Sequence, residues 1–297
     1  MLAYFSYKVD PKTGENIRDM NWLSDPILDS AETNNCAIYL TVTNFGYSEN
    51  TELLNNERAC DTLINRLSNM LNQRGAKGVC IDFEEIHEKD SDMYNLFIHK
   101  LSTVLRKSNQ KLLVVLPISF KENVVNAKSL EGDVDYFIMM GYACYHLGSS
   151  HAGPISPLTS GNVWEPYNLS DNVDSYLENS FAPSKFMVAL PLYGAIWETE
   201  SATLNSRAIK GMKEITYNKV REQFKNQIPT VDSISQSSYY SYEQDGKVMQ
   251  CWFESEDNLE SKIQFLLNEK AIAGIGFWAL GYSDKEPEVW SMVKENI

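Results

Sequence analysis

An α/β fold built on a parallel sheet is what this sequence predicts, and three observations predict it. Short apolar, β-branched or aromatic runs alternate with longer segments of helical periodicity. The runs are nearly continuous in apolar residues, as in Leu112-Leu113-Val114-Val115-Leu116 and Val188-Ala189-Leu190, which suits strands covered on both faces. The 297 residues, 43% hydrophobic and 22% charged, suit one large barrel of ~250 residues or more, or two ordinary domains. A barrel or a doubly wound sheet follows from this alternation.

In chain order, strands are expected at 2–9, 36–44, 77–84, 111–117, 134–142, 185–191 and 273–279. The clearest helix is 52–73, where Leu53, Cys60, Leu63, Ile64, Leu67, Met70 and Leu71 fall at three- and four-residue steps before Gly75, a C-terminal cap. Further helices are expected at 90–107, 171–180, 256–270 and 286–296. Residues 195–255 break the alternation with a polar stretch, in which Asp245-Gly246 between β-rich flanks predicts a hairpin. This stretch is an insertion before the last strand of a single domain spanning 1–297, since no repeat or low-complexity linker divides the chain.

Lys plus Arg number 26 against 40 Asp plus Glu, a net charge of −14, so phosphate backbones and anionic membrane surfaces are excluded as partners. No segment approaches the ~20 apolar residues of a membrane span, and the first residues carry no signal-peptide pattern. Cys36, Cys60, Cys80, Cys144 and Cys251 have no paired spacing and His87, His99, His146 and His151 no H-E-x-x-H, so neither a metal site nor a cofactor is expected. Most of the cysteines read as small buried hydrophobes. Gly274, Gly276 and Gly281 miss the dinucleotide spacing, and Cys144 with His146 lacks the geometry of a thiol nucleophile and its base.

The chemistry concentrates in Gly78-Val79-Cys80-Ile81-Asp82-Phe83-Glu84. Alternation in a strand puts Cys80, Asp82 and Glu84 on one face, with Glu84 at the C-terminal end, where the catalytic groups of parallel barrels collect. Two carboxyls this close resist double ionisation, so one keeps a proton near neutrality and can act as a general acid on a glycosidic bond. A solvated acidic strand end, continuing into Glu85, Glu88 and Asp90, is the bland alternative.

The wider sequence resembles glycoside hydrolase family 18. The Asp82-Phe83-Glu84 segment is similar to the family's D-G-x-D-x-D-x-E signature, and closer to the G-V-N-I-D-F-E of spore cortex-lytic N-acetylglucosaminidases. Six further segments follow in the family's order: Tyr4 to Val9 with Asp10-Pro11-Lys12-Thr13-Gly14; Thr41-Val42-Thr43-Asn44-Phe45; Met139-Met140-Gly141-Tyr142; Gly153 to Leu158; Leu190-Pro191-Leu192-Tyr193-Gly194; and Gly274 to Gly281. The resemblance implies a (β/α)8 barrel whose first β/α unit is missing from this sequence, since Leu2 to Val9 matches the family's second strand.

It also implies a retaining, substrate-assisted glycosidase that cleaves β-1,4 bonds at N-acetylglucosamine in spore cortex or cell-wall peptidoglycan, with chitin oligomers or N-glycans as alternative substrates. Glu84 would be the acid and base, Asp82 the holder of the substrate acetamide, Tyr142 the guide of its oxygen and Trp278 the floor under the sugar. Tyr7, Asn44, Cys80 and Tyr193 would complete the binding site, with Tyr145, Trp164, Tyr167 and Trp197 as further aromatics for a glycan cleft. The partner is thus an N-acetylglucosamine polysaccharide met by a monomer, in a wall- or spore-associated location that the residues alone leave unknown. Cys80 and Ala143 depart from the family pattern, which expects Asp or Asn and an acidic residue there, and they motivate a rival reading as a non-catalytic glycan-binding relative.

Overall fold

The computed structural model describes residues 1–18 and 20–297. The chain divides into two compact units, Met1–Pro117 with Lys121–Ile138, and Ile118–Phe120 with Met139–Ile297.

The first unit holds strands β1 (Leu2–Lys8), β2 (Ile38–Phe45), β3 (Gly78–Glu84) and β4 (Lys111–Leu116), with helices α1 (Pro26–Thr33), α2 (Tyr47–Leu54), α3 (Glu57–Arg74) and α4 (Ser91–Arg106) between them. The strands pair in parallel, each with the next. Helices alternating with parallel strands give the expected α/β class. The single helix expected at 52–73 is two helices, because Asn56 breaks the run and accepts the Ala59 N–H through its side chain, restarting the helix as α3. Gly75 closes α3 at φ 71° with its N–H on the Leu71 carbonyl. Helix α1, absent from the periodicity reading, begins on an Asp25 cap with Pro26 in its first turn.

Leu63, Ile64, Leu67 and Leu71 of α3 and Phe97, Ile98, Leu101 and Leu105 of α4 are buried. Each such side chain contributes about 1.5–3 kcal/mol on removal from water. β3 and β4 come so close that a Cβ on Gly78 would lie 1.9 Å from the Lys111 carbonyl oxygen. Gly78→Ala is therefore expected to cost about 1–3 kcal/mol or more. Urea unfolding of the variant with an unchanged midpoint would contradict that approach.

β5 (Tyr136–Met140) continues the sheet. The second unit adds β6 (Phe186–Pro191), β7 (Tyr193–Thr199), β8 (Ala208–Thr216), β9 (Thr230–Asp232), β10 (Ser237–Gln244), β11 (Lys247–Phe253) and β12 (Gly274–Trp278), with helices α5 (Leu169–Glu178), α6 (Tyr217–Gln223), α7 (Glu256–Gln264) and α8 (Pro287–Asn296). The hydrogen-bonded order of the seven-stranded sheet is β1-β2-β3-β4-β5-β6-β12, and β6 pairs in parallel with β12. A second, five-stranded antiparallel sheet, β8-β7-β11-β10-β9, is the insertion before the last strand. Its β10–β11 hairpin turns on Asp245 and Gly246 at φ 53° and 72°, the left-handed pair that a two-residue turn of this kind demands.

Among the described residues no helix is long and apolar enough to cross a membrane. Cys60, Cys80 and Cys251 are buried, while Cys36 and Cys144 are half-buried.

Candidate active site

Alternation along β3 separates packing from chemistry. Phe83 stacks on Phe97 at 5.6 Å and tilts against Tyr94 at 6.1 Å, so Val79, Ile81 and Phe83 face the helices. Cys80, Asp82 and Glu84 take the opposite face. Along β2, Thr41, Thr43 and Phe45 stand level with Cys80, Asp82 and Glu84 in turn. Cys80 clusters with Tyr39 and Leu113 in an apolar floor. Asp82 therefore sits on that floor at 8% exposure, and its Oδ1 is buried with no hydrogen-bond partner among the described residues.

Such a carboxyl resists ionisation. Burial, helped by the Glu84 charge, pushes Asp82 up to about 8. Glu84 is half-buried at the strand end and is also raised, by burial first and by the Glu85 charge second. At neutral pH the pair therefore retains a proton beside an unfilled acceptor. The Cys80 thiol, raised by burial and by Asp82, remains S–H and a weak donor.

The turn after Glu84 is fixed by a residue the sequence reading missed. Asn50, buried on α2, donates through Nδ2 to the Glu84 carbonyl at 2.6 Å and to the Gly46 carbonyl at 3.1 Å. No periodicity marks a side chain whose task is to hold a carbonyl 34 positions away. Asn44 accompanies it. Expected to bind substrate, Asn44 is level with Phe83 on the helix-facing side and donates to Asn50 Oδ1 at 2.9 Å. Tyr7 likewise is level with Val42, buried, with its hydroxyl on the Gly14 carbonyl at 2.8 Å. The hydroxyls on the Asp82 face are instead those of Thr43 and Ser6, 3.3 Å apart. Strand parity cannot be phased between neighbours without the register, and a shift between Tyr4 and Tyr7 resets it in β1.

Within the second unit, Tyr142 and Trp278 are half-buried and pack on one cluster of Tyr193, Trp164, Trp197 and Trp252 with small aliphatic residues. Tyr142 meets Tyr193 edge to face at 6.1 Å. Trp164 and Trp197, expected as cleft aromatics, are fully buried in that cluster, and Trp164 Nε1 donates to Asp232 Oδ2 at 2.7 Å. Gly276 shares a face with Trp278, but a Cβ there would lie 3.6 Å from the Ala189 Cβ, an ordinary contact, so packing alone does not demand glycine.

The family model described as Glycosyl hydrolases family 18 matches residues 29–283. The chain belongs to glycosyl hydrolase family 18. The family 18 match encloses Asp82, Glu84, Tyr142, Tyr193 and Trp278, and Tyr7 lies before it. Among curated relatives, a Bacillus subtilis (strain 168) protein named as a sporulation-specific glycosylase, YdhD, is 27% identical over 81% of this chain and 56% of its own length. The cortical fragment-lytic enzyme of Bacillus anthracis is 23% identical over 100% of this chain and 67% of its own length. The chain thus spans between about half and two thirds of these relatives. A family 18 chitinase from Cycas revoluta, solved in complex with (GlcNAc)4, superimposes with a TM-score of 0.86 at 14% identity, over 99% of this chain and 91% of its own. That likeness supports the barrel-type α/β fold.

Proposed function

We propose that this protein is a retaining glycosidase that hydrolyses β-1,4 bonds next to N-acetylglucosamine, with peptidoglycan of spore cortex or cell wall as its substrate. The observation that carries the reading is Asp82: a buried carboxyl oxygen with no donor among the described residues, beside a second carboxyl, Glu84, whose ionisation burial also resists. A substrate amide N–H fills that acceptor. The names of the sporulation and cortex-lytic relatives support the substrate class and a wall- or spore-associated location.

In this mechanism the acetamide N–H binds Asp82, which turns the acetamide carbonyl oxygen toward the anomeric carbon. That oxygen attacks as Glu84 gives its proton to the departing glycosidic oxygen, so the C–O bond breaks with an oxazolinium-like ring formed. The ionised form of Asp82 offsets the positive charge on the ring nitrogen. Glu84, now a carboxylate, takes a proton from water, which opens the ring with net retention. The family motifs alone assign the Tyr142 hydroxyl to the acetamide oxygen and the Trp278 indole to the sugar's C–H face. The 297 residues work as one catalytic domain and a monomer in this reading.

Release of reducing ends from N-acetylglucosamine oligomers and from purified cortex fragments tests it. Binding without release favours the glycan-binding alternative, which Cys80 and Ala143 motivate. The pH profile gives a finer check. Glu84 must enter the reaction protonated, and the Glu85 charge helps to keep it so. Glu85→Gln removes that charge, lowers the Glu84 pKa, and should move the alkaline limb of kcat/KM to lower pH. An unmoved limb, or one displaced upward, would separate Glu84 from the rate.

A further inference from the structure

A buried ion pair without an evident task stands in the second unit. Lys262 on α7 and Glu254 after β11 are paired with both side chains at 0% exposure. Lys262 Nζ also donates to the Gln236 carbonyl at 3.0 Å and to Ser237 Oγ at 3.1 Å, and Ser237 Oγ donates to Glu254 Oε1 at 2.7 Å. Stability alone does not account for such a pair, since removing each charge from water costs several kcal/mol and well-packed apolar replacements are often neutral or better. What distinguishes this one is a neighbour: the Ser156 backbone N–H faces the Glu254 carboxylate and favours its charged form.

Ser156 faces the segment that carries Tyr142. Its Oγ donates to the Gly141 carbonyl at 2.5 Å, and the adjacent Ile155 carbonyl accepts the Cys144 N–H at 3.0 Å. Residues 155 and 156 thereby grip the chain on both sides of Tyr142 and Ala143, and Ala143 sits in the left-handed region at φ 60°. A two-residue arch bent through a left-handed alanine needs such a grip, because conformations of this kind persist only where the surroundings over-determine them.

We propose that Ser156, held in place by the buried Glu254–Lys262 pair, is the positioning residue for Tyr142. This rests on the role proposed for Tyr142 above, and the test separates the two. Ser156→Ala deletes the bond to Gly141 while leaving the backbone N–H facing Glu254. In the active protein it is expected to lower kcat on the order of 10- to 100-fold with little change in KM, the scale of loss for a misplaced group. Acting through Tyr142, it should add nothing to Tyr142→Phe. A double variant no slower than Tyr142→Phe alone supports the proposal, and losses that multiply overturn it.

Hydrogen exchange of residues 139–147 gives a readout independent of turnover. Faster exchange there in Ser156→Ala, with 186–191 unchanged, is the expected result, and unchanged exchange in both segments sinks the proposal even if the parent proves inactive. Should Ser156→Ala not fold, Glu254→Gln with Lys262→Met leaves the core neutral and releases the same grip. The same exchange difference is then expected, and its absence counts equally against the proposal.

Discussion

Replacing Glu84 by glutamine is expected to lower kcat/KM on N-acetylglucosamine oligomers by roughly 10²- to 10⁴-fold, the range that a positioned proton donor supplies. Glutamine keeps the size and polarity of the side chain at the end of β3 but carries no transferable proton. The Asn50 bonds reach the backbone carbonyl of residue 84, so the turn itself is not disturbed. Oligomer affinity measured by calorimetry should stay within a few-fold, because the acid acts in the transition state and not in binding. Substrates with an aryl leaving group, which needs little protonation, should lose less than natural oligomers. Turnover by Glu84→Gln equal to the parent's on both substrate types would remove this carboxyl from the mechanism.

Asp82→Asn should separate activity from stability. Its loss of turnover is expected at about 10²- to 10³-fold, as for other groups preorganised against developing charge. Its effect on folding has a pH signature. Asp82 titrates near 8 when folded and at ~3.9 when unfolded, so between these values the native state binds the extra proton and stability falls as pH rises. The fall is about 1.4 kcal/mol per pH unit across that window; below it the contribution is fully present, and above it the loss is complete. Asparagine has no such term. Paired urea unfolding of parent and variant should give a gap that moves in the variant's favour from pH 4 to pH 8. A gap constant with pH, or one moving in the parent's favour, would show that Asp82 is not held protonated by its surroundings. A site that costs stability in this way is what substrate binding relieves, since the acetamide N–H supplies the donor missing at Oδ1.

How much was legible beforehand differs by element. The seven parallel strands fall within a few residues of their apolar runs, since a strand covered on both faces needs continuous apolar sequence. The β10–β11 hairpin was legible because Asp-Gly is one of few pairs that accept its two left-handed positions. The other strands of the antiparallel sheet were not. β8, exposed along most of its length, buries too little to leave a period in its sequence. The division of the 52–73 run into α2 and α3 was hidden because Asn55 and Asn56 interrupt the backbone without interrupting the apolar spacing.

The candidate site shows the same boundary. That Asp82 and Glu84 share a face with Cys80 is a property of one strand, and alternation in the sequence determines it. Which side chains of neighbouring strands join that face depends on register. Register placed Thr43 and Ser6 beside Asp82 and turned Asn44 and Tyr7 toward the helices. Sequence also identified the aromatic types at 142, 193 and 278, whereas only packing showed them sharing one cluster with two fully buried tryptophans. The carboxyl chemistry was local and therefore written in order along the chain. Its desolvation, its missing partner and the buried lysine behind Ser156 are sums over residues far apart in sequence, and only the folded chain assembles them.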